Sequence, residues 1–172
     1  MLKIGQYIGD IVYGANDGII TTFAVVAGVA GANLSPNIVI ILGIANLIAD
    51  GFSMATSNYL ARKSEREYQN TLETKREEFI RKIESPIKSA FATFASFILA
   101  GSVPLVPYLF TKSENVFTYA IVFTGITLFI VGCLRTTITK TIWWKAGLEM
   151  LAIGAIAAGV AYGIGNFLGK MV

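Results

Sequence analysis

The sequence predicts an all-α, polytopic membrane protein with five transmembrane helices and a short cytoplasmic helical segment between the second and third. Three observations carry this reading. The 172 residues are 54% hydrophobic and 15% charged, with a mean hydropathy of +0.62, whereas soluble chains carry about 25% charged residues. The charge is also unevenly placed, since eight of the 14 basic and six of the 11 acidic residues lie between Arg62 and Lys88. The rest divides into five apolar segments of roughly 17 to 24 residues, each long enough at about 1.5 Å per residue to cross a hydrocarbon core about 30 Å thick.

The predicted spans are 17–33, 37–60, 87–110, 116–134 and 147–168. Asn33, Leu34, Ser35 and Pro36 join the first two, a connection so short that the pair must be an antiparallel hairpin. A signal peptide is a competing reading of the start, because Ile19 to Val29 is apolar and Ala30-Gly31-Ala32 resembles a cleavage site; Asp10 and Asp17 stand where a basic region and a clean apolar stretch belong. No helix breaker lies between Gly51 and Pro86, so the second span is expected to continue helically to about Tyr68. Asn70-Thr71-Leu72-Glu73 has capping-box spacing, which suggests a second short helix from Thr71 to Glu84 within the 61–86 cytoplasmic segment. Ser85-Pro86 reads as an N-cap followed by proline at the first helical position of the third span. Thr111 to Asn115 connects the third and fourth spans.

Orientation follows from the basic residues. Lys3, the eight from Arg62 to Lys88, and Arg135, Lys140 and Lys145 fall on one side of the five-span plan, leaving Lys112 and Lys170 for the other. The positive-inside rule places the N-terminus and the 61–86 segment in the cytoplasm and the C-terminus outside. The net charge of +3 is accounted for by this orientation, and no basic face remains for a nucleic-acid partner. The absence of His excludes imidazole-based zinc sites and His-dependent nucleophiles, and no other nucleophile–base pair stands out, which argues against an enzyme. Cys133 is alone, so no intrachain disulfide forms.

Function is sought among the few charges left in the spans. Asp17, Asp50 and Glu149 are carboxylates in or at the ends of apolar segments, where each costs at least about 2.5 kcal/mol at the bilayer centre. Asn46, Asp50, Met54 and Asn58 recur every four residues, with Ser53 and Ser57 beside them, making one polar stripe suited to a bundle interior or an ion path. Interhelical hydrogen bonding accounts equally well for the asparagines and serines. An aspartate is better explained by a transient cation, or a proton in its absence. Met54 lies one turn from Asp50, and Met150 adjoins Glu149, so thioether sulfur stands near carboxylate oxygen twice, a donor set for a first-row transition metal rather than Mg²⁺ or Ca²⁺. Asp17, within Gly14-Ala15-Asn16-Asp17-Gly18, reads equally as a plain N-cap. Glu73, Glu77 and Glu84 share one face of the short helix and could meet a cation; Glu77 with Arg81 and Glu78 with Lys82 are also ordinary i,i+4 pairs on a solvated face. Gly14/Gly18, Ala24/Gly28, Gly28/Ala32, Ala155/Gly159 and Gly159/Gly163 form small-residue faces for close packing within a protomer or between two.

Two blocks, Tyr13 to Ala32 (YGANDGIITTFAVVAGVAGA) and Gly43 to Met54 (GIANLIADGFSM) running on through Lys63-Ser64-Glu65, together with Gly147-Leu148-Glu149-Met150, resemble the vacuolar iron transporter family. The resemblance implies proton-coupled movement of Fe²⁺, and of Mn²⁺ as a second metal, out of the cytosol by a homodimer whose pathway lies on the two-fold axis. It implies metal as transported substrate and no bound cofactor. By position, Asp17 matches the family's pathway aspartate and Met54 its pathway methionine. Asn46 stands where eukaryotic members have glutamate, and Asp50, absent from those members, is placed to compensate. The long Glu- and Met-rich cytoplasmic domain of well-known members is reduced here to a segment keeping Glu65, Glu67, Glu73, Glu77, Glu78 and Glu84, with no Met between Met54 and Met150. The short chain fits a bacterial plasma membrane better than a vacuole. A reading from another class is a non-transporting membrane scaffold or assembly subunit, in which acids cap helices and small-residue faces drive association.

Overall fold

The computed structural model describes residues 7–71, 85–111, 113–139 and 141–171. These form α1 (Ile8–Gly31), α2 (Pro36–Thr71), α3 (Pro86–Gly101), a 3₁₀ turn (Val103–Leu105), α4 (Val106–Phe110), α5 (Val116–Thr139) and α6 (Trp143–Gly169). With α3, the turn and α4 taken as one span, five helical segments are long and apolar enough to cross a membrane, and the chain is a multi-pass helical membrane protein. Its exposed surface agrees, since Ile41, Ile48, Phe52, Ile121, Ile156 and Phe167 all point outward, as side chains facing lipid do.

The first helix begins at Ile8 rather than near residue 17, and the fifth at Trp143 rather than 147. Hydropathy placed both boundaries too late because each helix opens with polar or interfacial residues, Asp10 and Asn16 in α1 and Trp143-Trp144-Lys145 in α6. The α1–α2 connection is a Schellman-type stop. Asn33 adopts φ of 56°, the Asn33 amide donates to Ala30 O at 3.1 Å and the Leu34 amide to Val29 O at 3.1 Å, closing the last turn so that Pro36 can start α2. At 36 residues, α2 is about 54 Å long and overshoots the hydrocarbon core, so its end from about Arg62 projects from the membrane. Helix α2 runs on through Asn70 to Thr71, past the expected end near Tyr68, and the rest of the expected short helix, 72–84, with Glu73 of the capping box, lies outside the described residues. Ser85 occupies the N-cap position before Pro86 in extended conformation, but its side chain makes no capping bond.

The third span is not one continuous α-helix, since a 3₁₀ turn at Val103–Leu105 interrupts it. Pro104 and Pro107 lack amide hydrogens, so the ladder tightens to Leu105 N–H donating to Ser102 O at 3.0 Å before α4 resumes.

Helix α1 is the hub, packing most extensively against α3 and α6 and also against α2 and α5. Its glycines explain how. A Cβ on Gly14 would lie 2.5 Å from Thr93 O, and one on Gly18 would lie 2.4 Å from Phe97 O, so α3 rides directly on the α1 backbone. At the other end a Cβ on Gly165 would meet Gly28 O at 2.1 Å and one on Gly169 would meet the Ala32 carbonyl oxygen at 2.8 Å. The small residues of α6 that pack against α1 are therefore Gly165 and Gly169. Gly159 and Gly163 have nothing within 4 Å, so they form no packing face within the protomer. Phe23, Phe117 and Tyr162 stack in series, with centroids 6.5 and 6.0 Å apart, and tie α1, α5 and α6 together above a core of Val26, Val29, Val39, Leu105 and Tyr108.

Candidate functional site at the α1–α2 seam

Asp10, Tyr13 and Asp17 lie at i, i+3 and i+7 and so share one face of α1. The antiparallel α2 offers Asn46, Asp50, Met54 and Asn58 on its four-residue stripe. Asn58 Nδ2 donates to Asp10 Oδ1 at 2.9 Å, and this bond sets the register of the pair. Seven residues forward on α1 and eight back on α2 lead to Asp17 and Asp50 at a matching level of the seam. Asn46, Asp50, Met54 and Asp17 are each half-buried. The structure thus places Asp17 and Asp50 on facing walls of one seam, with Met54 one turn from Asp50 toward Asn58. There a groove of about 420 Å³ opens between Tyr13 and Asp10 on α1 and Ser53, Met54, Ser57 and Arg62 on α2.

The reading of Asp17 as an N-cap is overturned. With α1 starting at Ile8, Asp17 lies well inside the helix, and its carbonyl accepts the Thr21 hydroxyl at 2.8 Å.

The residue that sequence reasoning missed is Asp10, noticed only as an objection to a signal peptide. It is 6% exposed, and three side chains from two helices converge on it. Oδ1 accepts from Asn58 and from an Arg62 guanidinium nitrogen at 3.2 Å; Oδ2 accepts from the Ser89 hydroxyl at the start of α3. Asn58 also donates to Thr93 Oγ1 at 2.6 Å, and Thr93 donates back to Ser89 O at 3.2 Å. A buried carboxylate needs such a donor shell. A signal for it was present in the sequence, because the stripe from Asn46 to Asn58 extends by one more step of four to Arg62.

Glu149 and Met150 are not brought to this seam as a pair. Glu149 accepts from Arg135 at 2.6 Å in an exposed ion pair, beside a separate groove lined by Thr141 and Lys145. Met150 is 3% exposed and packs with Ile19 and Leu128. Consecutive residues on a helix diverge by about 100°, which separates the acid from the sulfur. Glu73 and Glu77 lie outside the described residues. Among the described residues, no group of three or more His, Cys, Asp or Glu side chains gathers into a metal-binding cluster.

Fold and site together define a five-span helical membrane protein with Asp10, Asp17 and Asp50 on one helix–helix seam. The chain belongs to the VIT family, whose sequence model matches residues 8–84 and 72–166. The resemblance read from the Tyr13–Ala32 and Gly43–Met54 blocks is thereby confirmed. It is 29% identical over 213 residues to vacuolar iron transporter 1 of Eucalyptus grandis, covering 93% of this chain and 86% of that protein. It is 32% identical over 173 residues to vacuolar iron transporter homolog 3 of Arabidopsis thaliana, covering 98% and 86%, and 25% identical over 229 residues to a Toxoplasma gondii vacuolar iron transporter, covering 97% and 76%. The Eucalyptus alignment needs 213 positions to cover 93% of a 172-residue chain, so that relative carries inserted residues this chain lacks. The Arabidopsis homolog aligns over nearly this chain's own length.

Proposed function

We propose that the protein moves Fe²⁺, with Mn²⁺ as a second substrate, out of the cytoplasm through the α1–α2 seam, in exchange for protons and as a homodimer. The observation that carries this reading is the α1–α2 seam itself, with Asp17 on one wall and Asp50 and Met54, one turn apart, on the other at the register fixed by the Asp10–Asn58 bond. Two half-buried acids in a low-dielectric setting repel one another unless a proton or cation lies between them, and a thioether beside them favours a transition metal over Mg²⁺ or Ca²⁺. Names of the relatives support iron as the substrate.

One protomer supplies too few ligands to hold a divalent ion, whereas a second copy would double the set of Asp17, Asp50, Asn46 and Met54. Metal arriving displaces protons from the carboxylates and protons arriving release metal, so binding of the two is linked. The clustering of basic residues orients the N-terminus and the α2–α3 connection toward the cytoplasm, the C-terminus outward, in what we read as a bacterial plasma membrane.

The test is uptake of Fe²⁺ and Mn²⁺ into proteoliposomes, with and without a pH gradient. Asp17→Asn and Met54→Ala are each expected to abolish flux while leaving the association state intact. Full flux in both variants would refute the seam as the path, and wild-type protein that carries neither metal would favour a scaffold or assembly role.

A further inference from the structure

We propose that Asp10 and Arg62 form a gate at the cytoplasmic end of the α1–α2 groove, with the guanidinium occupying the carboxylate that a divalent cation would otherwise reach first. This rests on the transport reading given above and adds to it a residue pair outside the Asp17–Asp50 site. The groove of about 420 Å³ has Asp10 and Arg62 at one end and Met54 at the other. Along α2 those ends are eight residues, or roughly 12 Å, apart. Tyr13, Ser53 and Ser57 line the interval and supply neutral oxygens.

The two partners are unequally buried. Asp10's side chain is 7% exposed and Arg62's 33%, so the carboxylate is fixed and the guanidinium reaches in from the solvent side. Its 3.2 Å contact is longer than the 2.6 Å of the Arg135–Glu149 pair. Asn58 and Ser89 donate to Asp10 independently of Arg62, so the carboxylate keeps its position and two donors when the guanidinium swings away. A divalent ion taking that place brings twice the charge to the same oxygen. The exchange is one cation for another, and Asp10 is never left bare. While Arg62 is seated, its positive charge repels cations from the groove, and its departure both removes that repulsion and frees the ligand.

The experiment compares wild-type protein, Arg62→Ala, Arg62→Lys and the Asp10→Asn/Arg62→Ala double variant by Fe²⁺ flux in proteoliposomes and by Mn²⁺ titration of purified protein followed by electron paramagnetic resonance. Arg62→Ala is expected to lower the half-saturating metal concentration roughly ten-fold in both readings, with Arg62→Lys between it and wild type. In the double variant the gain disappears, because the ligand it exposes is gone. Unchanged or weaker half-saturation in Arg62→Ala overturns the gate, and so does a gain that survives in the double variant, which marks a general effect of surface charge. If Arg62→Ala fails to fold, Arg62→Gln decides on the same readings. Wild-type protein without flux removes the transport reading instead, and the Mn²⁺ titration then still decides whether Arg62 guards a cation site at Asp10.

Discussion

Replacing Gly18 with alanine should destabilise the protein although alanine is the better helix former. In an exposed helix interior the change would gain about 1 kcal/mol. Here the added Cβ would lie 2.4 Å from Phe97 O and 3.1 Å from Phe97 Cα, both backbone atoms that no rotamer change can move. Reaching ordinary contact requires α1 and α3 to part by about 1 Å, and the reciprocal approach of Gly101 to Gly18 O, 2.7 Å for a Cβ there, opens with it. Overpacking of this kind costs about 1–3 kcal/mol, occasionally more, and the loosened crossing loses dispersion contacts along both helices. The net expectation is a loss of about 1–2 kcal/mol, the overpacking cost outweighing the propensity gain. Gly28→Ala is the control on the same helix, because its Cβ would sit 3.7 Å from Ala161 O, an ordinary contact; it should be neutral or slightly stabilising. Thermal and denaturant unfolding of both variants in one detergent checks this. A Gly18→Ala protein as stable as Gly28→Ala would refute the close α1–α3 crossing.

Other expectations concern the polar groups. Asp10→Ala strands the donors of Asn58, Ser89 and Arg62 and should cost about 2–4 kcal/mol, whereas Asp10→Asn, which keeps an acceptor, should cost less in the same unfolding assay. Glu149→Ala removes one side of an exposed ion pair; a stability change within about 1 kcal/mol and nearly unaltered Fe²⁺ flux are expected, and lost flux would bring Glu149 into the path. Asp50→Asn should cut Fe²⁺ flux strongly, and adding Asn46→Glu, one turn along the same face of α2, should restore part of it; no restoration would mean that the carboxylate is needed at that depth alone.

The spans were legible because lipid imposes a simple demand, namely apolar side chains over enough helical length to cross the core, and composition meets it visibly in all five. Helix starts were less legible, since Asp10, Asn16 and Asp17 count against hydropathy although they turn toward other helices. The 3₁₀ interruption of the third span is written in Pro104 and Pro107, yet proline alone does not separate an interruption from a tolerated residue. For the site, the four-residue stripe on α2 identified one wall of the seam. The other wall is marked in the sequence by Asp17 alone, because nothing in a single sequence states which residues of α1 face α2. That is a property of register, and here it is set by the Asp10–Asn58 bond.

The same register joins the structural and the proposed functional parts of the seam. Gly14 and Gly18 press α1 against α3, while Asp10 ties α1 to Ser89 of α3 and to Asn58 and Arg62 of α2. Between these fixed points α1 has no freedom to slide or rotate, since a rotation of one residue, about 100°, would carry Asp17 away from Asp50 and expose it to lipid at a cost of at least about 2.5 kcal/mol. The carboxylate at the membrane edge therefore holds in place the carboxylate at depth. A change at Asp10 that spares the fold but shifts the register should raise the metal concentration needed at Asp17 without touching any residue in contact with it.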